Sequence, residues 1–120
     1  MSIAPTEFLS VAAQLHNPSN EAANRSAASR AYYSVYHACA DRYQEEKIPE
    51  GKPTGMHTRL INTLKNSPSQ HDRRIGFILS NVYEHRIRAD YKLTKDYRPE
   101  EAENAIKQSR RLLELLELSR

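Results

Sequence analysis

Residues 24–43, NRSAASRAYYSVYHACADRY, constrain the fold of this chain most, because they contain neither Gly nor Pro and are rich in Ala. On a helix advancing about 100° per residue, groups seven and four positions apart return to nearly the same bearing. Arg30, His37 and Asp41 have that spacing and form one polar line. Ala28, Ala31, Tyr32, Val35, Cys39 and Tyr43 fall on the opposite side. A single long helix thus offers an apolar face to a core and a second face bearing a guanidinium, an imidazole and a carboxylate.

The rest of the chain must supply partners for that helix. A length of 120 residues suits one domain, over residues 1–120, with a single core. Hydrophobic residues make up 38% and charged residues 28%, with three Gly and no Trp, a balance that suits a helical protein rather than a sheet or a disordered chain. The apolar runs are too short for a signal peptide or a membrane span, so no membrane association is expected and the cytoplasm is the expected compartment. The lone Cys39 excludes an internal disulfide and a cysteine-built zinc site, and its place on the apolar face suits a buried, inert thiol. Net charge is +3 but unevenly spread: residues 73–98 hold seven Lys or Arg against three acids. Arg73, Arg74, Arg88, Lys92 and Lys95 in that window are candidate phosphate contacts.

Taken in order, Phe8, Val11, Ala12 and Leu15 predict a first amphipathic helix over 6–15 after Pro5. Asn17 before Pro18 is a candidate cap for the long helix, which is expected to run to about Glu46. Pro49, Gly51, Pro53 and Gly55 predict a loop over 47–55. A third helix is expected over 56–65, with His57, Leu60, Ile61 and Leu64 on one side, and a fourth over 71–91 on a stripe of Ile75, Ile78, Leu79 and Val82. That stripe continues to Arg86, Ala89 and Asp90, and an Arg and an Asp four apart beside apolar positions are best placed as a hydrogen-bonded pair. Pro99, Glu100 and Glu101 open a last helix whose stripe is Ala102, Ala105, Ile106, Ser109, Leu112, Leu113 and Leu116. Leu115 and Leu118 lie off it and are expected to form a second apolar edge for another subunit. Together these elements predict an all-α, up-and-down bundle of four to five helices.

SRAYYSVYHACA at residues 29–40 and RIRADY at residues 86–91 resemble the HEPN domain, and in particular its small stand-alone prokaryotic members. The resemblance covers about residues 5–118. It implies a helical bundle that usually homodimerises and that in many members is a metal-independent endoribonuclease of toxin–antitoxin or defence systems. Such members often sit beside a minimal nucleotidyltransferase, and others are non-catalytic RNA-binding or partner-binding modules. The family's catalytic Arg and His lie on the fourth helix, where this chain has Arg86 and then Asp90. A carboxylate with an ordinary pKa near 4 is a poor proton carrier at neutral pH.

Three functions follow. A ribonuclease would use His37 on a ribose hydroxyl, Arg30 on the phosphorane and Asp41 on the imidazole, with Arg86 and Asp90 at the same cleft and no metal or cofactor. An RNA- or nucleotide-binding module would use the basic residues, with Tyr33 as a stacking surface on the Arg30 face. A protein-interaction module would present the leucine edge to an antitoxin or nucleotidyltransferase partner.

Overall fold

The Ala-rich segment folds as expected and becomes the element that the others pack against. The structure is a computed structural model that describes residues 3–43 and 55–118. Its helices are α1 (Pro5–Leu15), α2 (Glu21–Tyr43), α3 (Met56–Lys65), α4 (Gln70–Tyr91) and α5 (Pro99–Leu118). Helix α2 packs against α1, α4 and α5, while α4 also meets α3 and α5. Small side chains allow that many neighbours: Ala27, Ala28 and Ala31 are fully buried and cluster with Ala12, Ala89, Ala102 and Ala105. Backbones can approach closely where no long side chain intervenes, and the Ser109 hydroxyl of α5 reaches the Ala31 carbonyl at 3.2 Å. Larger groups fill the other half of the core, where Tyr32, Val35 and Cys39 meet Leu60, Leu64, Ile75, Leu79, Val82 and Leu112. Burial pushes the Cys39 thiol far above its ordinary pKa, so it stays protonated and unreactive.

The chain bears out the all-α bundle and fixes its helix ends. Glu7 accepts from the Ala4 backbone N–H at 2.6 Å, and Ser69 accepts from that of Asp72 at 3.2 Å. Three expectations need correction. The cap of α2 is Asn20, whose side chain accepts from the Ala23 N–H at 3.0 Å, whereas Asn17 exchanges hydrogen bonds with Asn24. Val11 is 40% exposed and Leu9 takes its place against the core. Leu115 is only 2% exposed, because α5 is wedged between α2 and α4 and needs a broader apolar arc than one stripe. It therefore offers no edge to a partner. The Leu118 side chain lies outside the described residues, as do the expected end of α2 at Glu46 and residues 47–54 of the expected loop.

One close approach requires its glycine. A Cβ on Gly76 would lie 2.8 Å from the Leu64 Cβ and 2.8 Å from the Lys65 backbone nitrogen. The missing side chain lets the start of α4 rest directly on the end of α3.

Candidate functional site

Tyr33, at the middle of α2, is the ring around which charged groups collect. The Arg30 guanidinium carbon lies 5.3 Å from its centroid and that of Arg86, on α4, lies 5.4 Å away. His37, one turn further along α2, stacks on Tyr33 at 6.0 Å and on Phe8 of α1 at 5.6 Å. Arg30 also rests on Phe8, at 5.7 Å. Two aromatic rings from different helices thus hold one guanidinium and one imidazole. Arg30, Tyr33 and Phe8 are half-buried, whereas His37 is exposed.

Helix α4 contributes a guanidinium that is locked in place. Arg86 Nε donates to Asp90 Oδ2 at 3.1 Å, and its Nη2 donates to the Tyr33 hydroxyl at 3.0 Å and towards that of Tyr91 at 3.4 Å. The same Asp90 oxygen accepts from Ser29 Oγ at 3.0 Å, so the carboxylate ties α2 to α4. Burial opposes the charge on Arg86, but Tyr33, Tyr91 and Asp90 outweigh it and raise its pKa. With its side chain 13% exposed, Arg86 is a fixed positive charge beneath the Tyr33 ring system rather than a mobile arm.

Beside this surface lies the half-buried His57, which the sequence did not single out; its ring is edge-on to that of Tyr33 at 6.1 Å. The Tyr32 hydroxyl is 2.6 Å from His57 Nδ1, and the rings of Tyr36 and Tyr83 lie 4.3 and 5.9 Å from the imidazole. Burial pushes the Tyr32 phenol far above its usual pKa, so it is the donor in this bond and Nδ1 accepts. Burial first, then Arg86 and His37, lower the pKa of His57 and keep it neutral at pH 7. The one available signal was its place on the Leu60, Ile61 and Leu64 side of α3, because an imidazole on an apolar stripe needs a buried partner.

A second imidazole, that of the buried His85, behaves alike. His85 takes a hydrogen bond from Arg88 at 3.0 Å and sits 3.2 Å from the Asn104 amide. Burial and Arg88 lower its pKa, with Glu101 opposing. The unfolded chain, with ordinary imidazoles near pKa 6.5, therefore takes up protons before the folded one as pH falls. Stability is expected to be fully present above about pH 6.5 and to decline below it. Thermal melts at pH 8, 7, 6 and 5 check this, and a melting temperature that rises on acidification would contradict it.

The remaining expected site residues are dispersed. Asp41 is exposed and makes no hydrogen bond with His37 or Arg30; it lines a cleft of about 610 Å³ with Arg110, Glu114 and the start of α1. Arg73 donates to the Ser67 and Pro68 carbonyls at 2.9 and 3.0 Å and so closes the turn before α4. Arg74 is exposed on that same end of the helix. Arg88, at the other end, pairs with Glu101 at 3.2 Å. Lys92 and Lys95 are exposed just beyond it. The contiguous basic window of the sequence is thus split between opposite ends of α4, which at 22 residues is about 33 Å long.

Arg25 was also not anticipated, and it positions the site from below. Its Nη1 donates to the carbonyls of Arg88 at 3.1 Å, Ala89 at 2.9 Å and Lys92 at 3.4 Å, and its Nη2 donates to that of Lys95. Its Nε pairs with Glu21 at 3.0 Å. This guanidinium supplies the donors that the end of α4 lacks and meets the negative end of its dipole. Arg86, Asp90 and Tyr91 all sit in the helical turns it anchors.

Among the described residues no cluster of three or more His, Cys, Asp or Glu is arranged to hold a metal ion. No described helix is long and apolar enough to cross a membrane. No curated protein and no solved structure matches the chain. A comparison with protein families matches the HEPN domain over residues 7–119. That match covers nearly the whole length and agrees with the five-helix order, so the chain belongs to the HEPN domain family.

Proposed function

We propose that this HEPN domain is an RNA-directed module whose contact surface is the Tyr33 ring with Arg30, His37, Phe8 and Arg86. HEPN domains commonly dimerise and bind RNA and are often related to ribonucleases. The observation that carries the proposal is the convergence of two guanidiniums on one half-buried tyrosine, with an exposed imidazole stacked against it. A nucleobase stacks on an aromatic face without regard to sequence; here it would displace the Arg30 guanidinium from over the ring to its edge, where it meets the accompanying phosphate. Single-stranded RNA therefore suits this surface better than a duplex, whose base faces are covered.

Binding fits the geometry better than cleavage does. A general base needs a group that orients it, and His37 has no hydrogen bond to Asp41 or to any other described carboxylate. Arg86 is engaged by Asp90 and Tyr33, and Asp90 by Arg86 and Ser29, so neither is poised for proton transfer. A leucine edge for a protein partner is not available at Leu115, which lies in the core.

Titration of a labelled oligouridine by fluorescence anisotropy, from 50 to 200 mM salt, tests the proposal. The logarithm of affinity is expected to fall linearly with that of salt concentration, by about 0.7 per phosphate neutralised. Tyr33→Ala should weaken binding about tenfold, within the ~1–3 kcal/mol of one base–aromatic stack. Equal affinity for the variant would contradict it. The same mixtures held in EDTA report on chemistry: metal-independent cleavage lost in His37→Ala would make the surface an active site.

A further inference from the structure

Phe77 is a second place where an exposed ring and cations without an ion-pair partner coincide. It is 55% exposed on α4, an apolar ring with no core role. Lys65 Nζ, from the end of α3, lies 5.1 Å from its centroid. The ring borders a shallow cleft of about 400 Å³ lined by Gln70, Arg73, Arg74 and Ile78, with no carboxylate in the lining. Neither Lys65 nor Arg74 has an ion-pair partner among the described residues. Three cations and one exposed aromatic ring, with Lys65 resting over it, therefore share a patch whose cleft has no carboxylate in its lining.

We propose that this patch is a second contact for single-stranded RNA, with a base stacked on Phe77 and the adjoining phosphates beside Lys65, Arg73 and Arg74. This rests on the RNA-directed function proposed above and adds a separate site to it. Phe77 precedes Arg86 by nine residues, which on a helix is about half a turn of bearing and ~14 Å of rise. The two surfaces thus face different ways and contact different nucleotides. Magnitudes favour a base over the present lysine on the ring. An exposed cation–π contact contributes about 0.5–1 kcal/mol, whereas a base–aromatic stack contributes ~1–3 kcal/mol. A base can displace the ammonium to the ring edge, where it meets phosphate. An acidic peptide would use the cations and leave the ring idle, which makes RNA the better fit.

Anisotropy titrations of a twelve-nucleotide oligouridine test this with wild type, Phe77→Ala, Phe77→Tyr, Tyr33→Ala and the double variant Phe77→Ala with Tyr33→Ala. Phe77→Ala is expected to lower affinity at least about fivefold, the low end of a single stack. Phe77→Tyr should restore it, and both variants should melt like wild type because the ring is exposed. The Phe77 and Tyr33 losses should multiply in the double variant, as independent contacts do. Wild-type binding that is unchanged by Phe77→Ala would overturn the second site and leave the first standing. Failure of the wild type itself to bind would remove both. Displacement of RNA by polyglutamate with equal potency from wild type and Phe77→Ala would reassign the patch to an acidic protein and overturn the proposal.

Discussion

Replacing Leu115 with Glu is expected to abolish cooperative folding at neutral pH. Leu115 is 2% exposed and belongs to the cluster that joins α5 to Tyr32, Leu60, Ile75 and Leu79. Removing a buried leucine side chain typically costs about 2–5 kcal/mol. The carboxylate must then either lose its hydration or take up a proton, and both add to that cost. The sum approaches the ~5–15 kcal/mol that holds a domain together. Leu115→Met keeps shape and volume and should cost less than about 1.5 kcal/mol. Urea unfolding followed by far-ultraviolet circular dichroism distinguishes the two. A Leu115→Glu protein with the wild-type midpoint but an altered oligomeric state would return this residue to a subunit interface.

Arg25→Ala is expected to lower stability by about 3 kcal/mol. The guanidinium serves four carbonyls at the end of α4 and in the turn beyond it, and it lies 5.6 Å from the Tyr97 ring. Hydrogen bonds to charged groups contribute roughly 1.5–3 kcal/mol each, and water entering the vacated space recovers part of the loss. Arg25→Lys should recover little, because one ammonium cannot span carbonyls that a planar fork reaches together. The loss is expected to spread to RNA affinity, since Arg86, Asp90 and Tyr91 ride on the turns that Arg25 anchors. Urea midpoints measure the first effect and anisotropy the second. A change below about 0.5 kcal/mol would show that solvent replaces the guanidinium at α4 without penalty.

What was legible in the sequence was local. Helix α3 begins and ends where Gly55 and the 66–69 turn place it, because backbone chemistry decides such points. The Arg86–Asp90 pair could be read from its four-residue spacing on one helix. Contacts between helices left weaker traces. Arg25 shares the buried face of α2 with Ala28 and Tyr32, which marks it as a paired cation, yet its partners are backbone carbonyls that carry no sequence signal. His57 could be placed on the Leu60 side of α3 but not given a partner, because Tyr32 is 25 residues away. Leu115 was misplaced because a single stripe describes a helix with one neighbour, and α5 has two major ones. The basic window over residues 73–98 looked like one patch because chain proximity hides the length of α4.

The most direct test of the Tyr33 surface is photo-crosslinking of a 5-bromouridine oligomer to the protein, followed by mass mapping of tryptic peptides. Adducts are expected in the α2 peptide of residues 31–42, which carries Tyr33 and His37. Adducts confined to other peptides, with none in 31–42, would contradict the proposed surface.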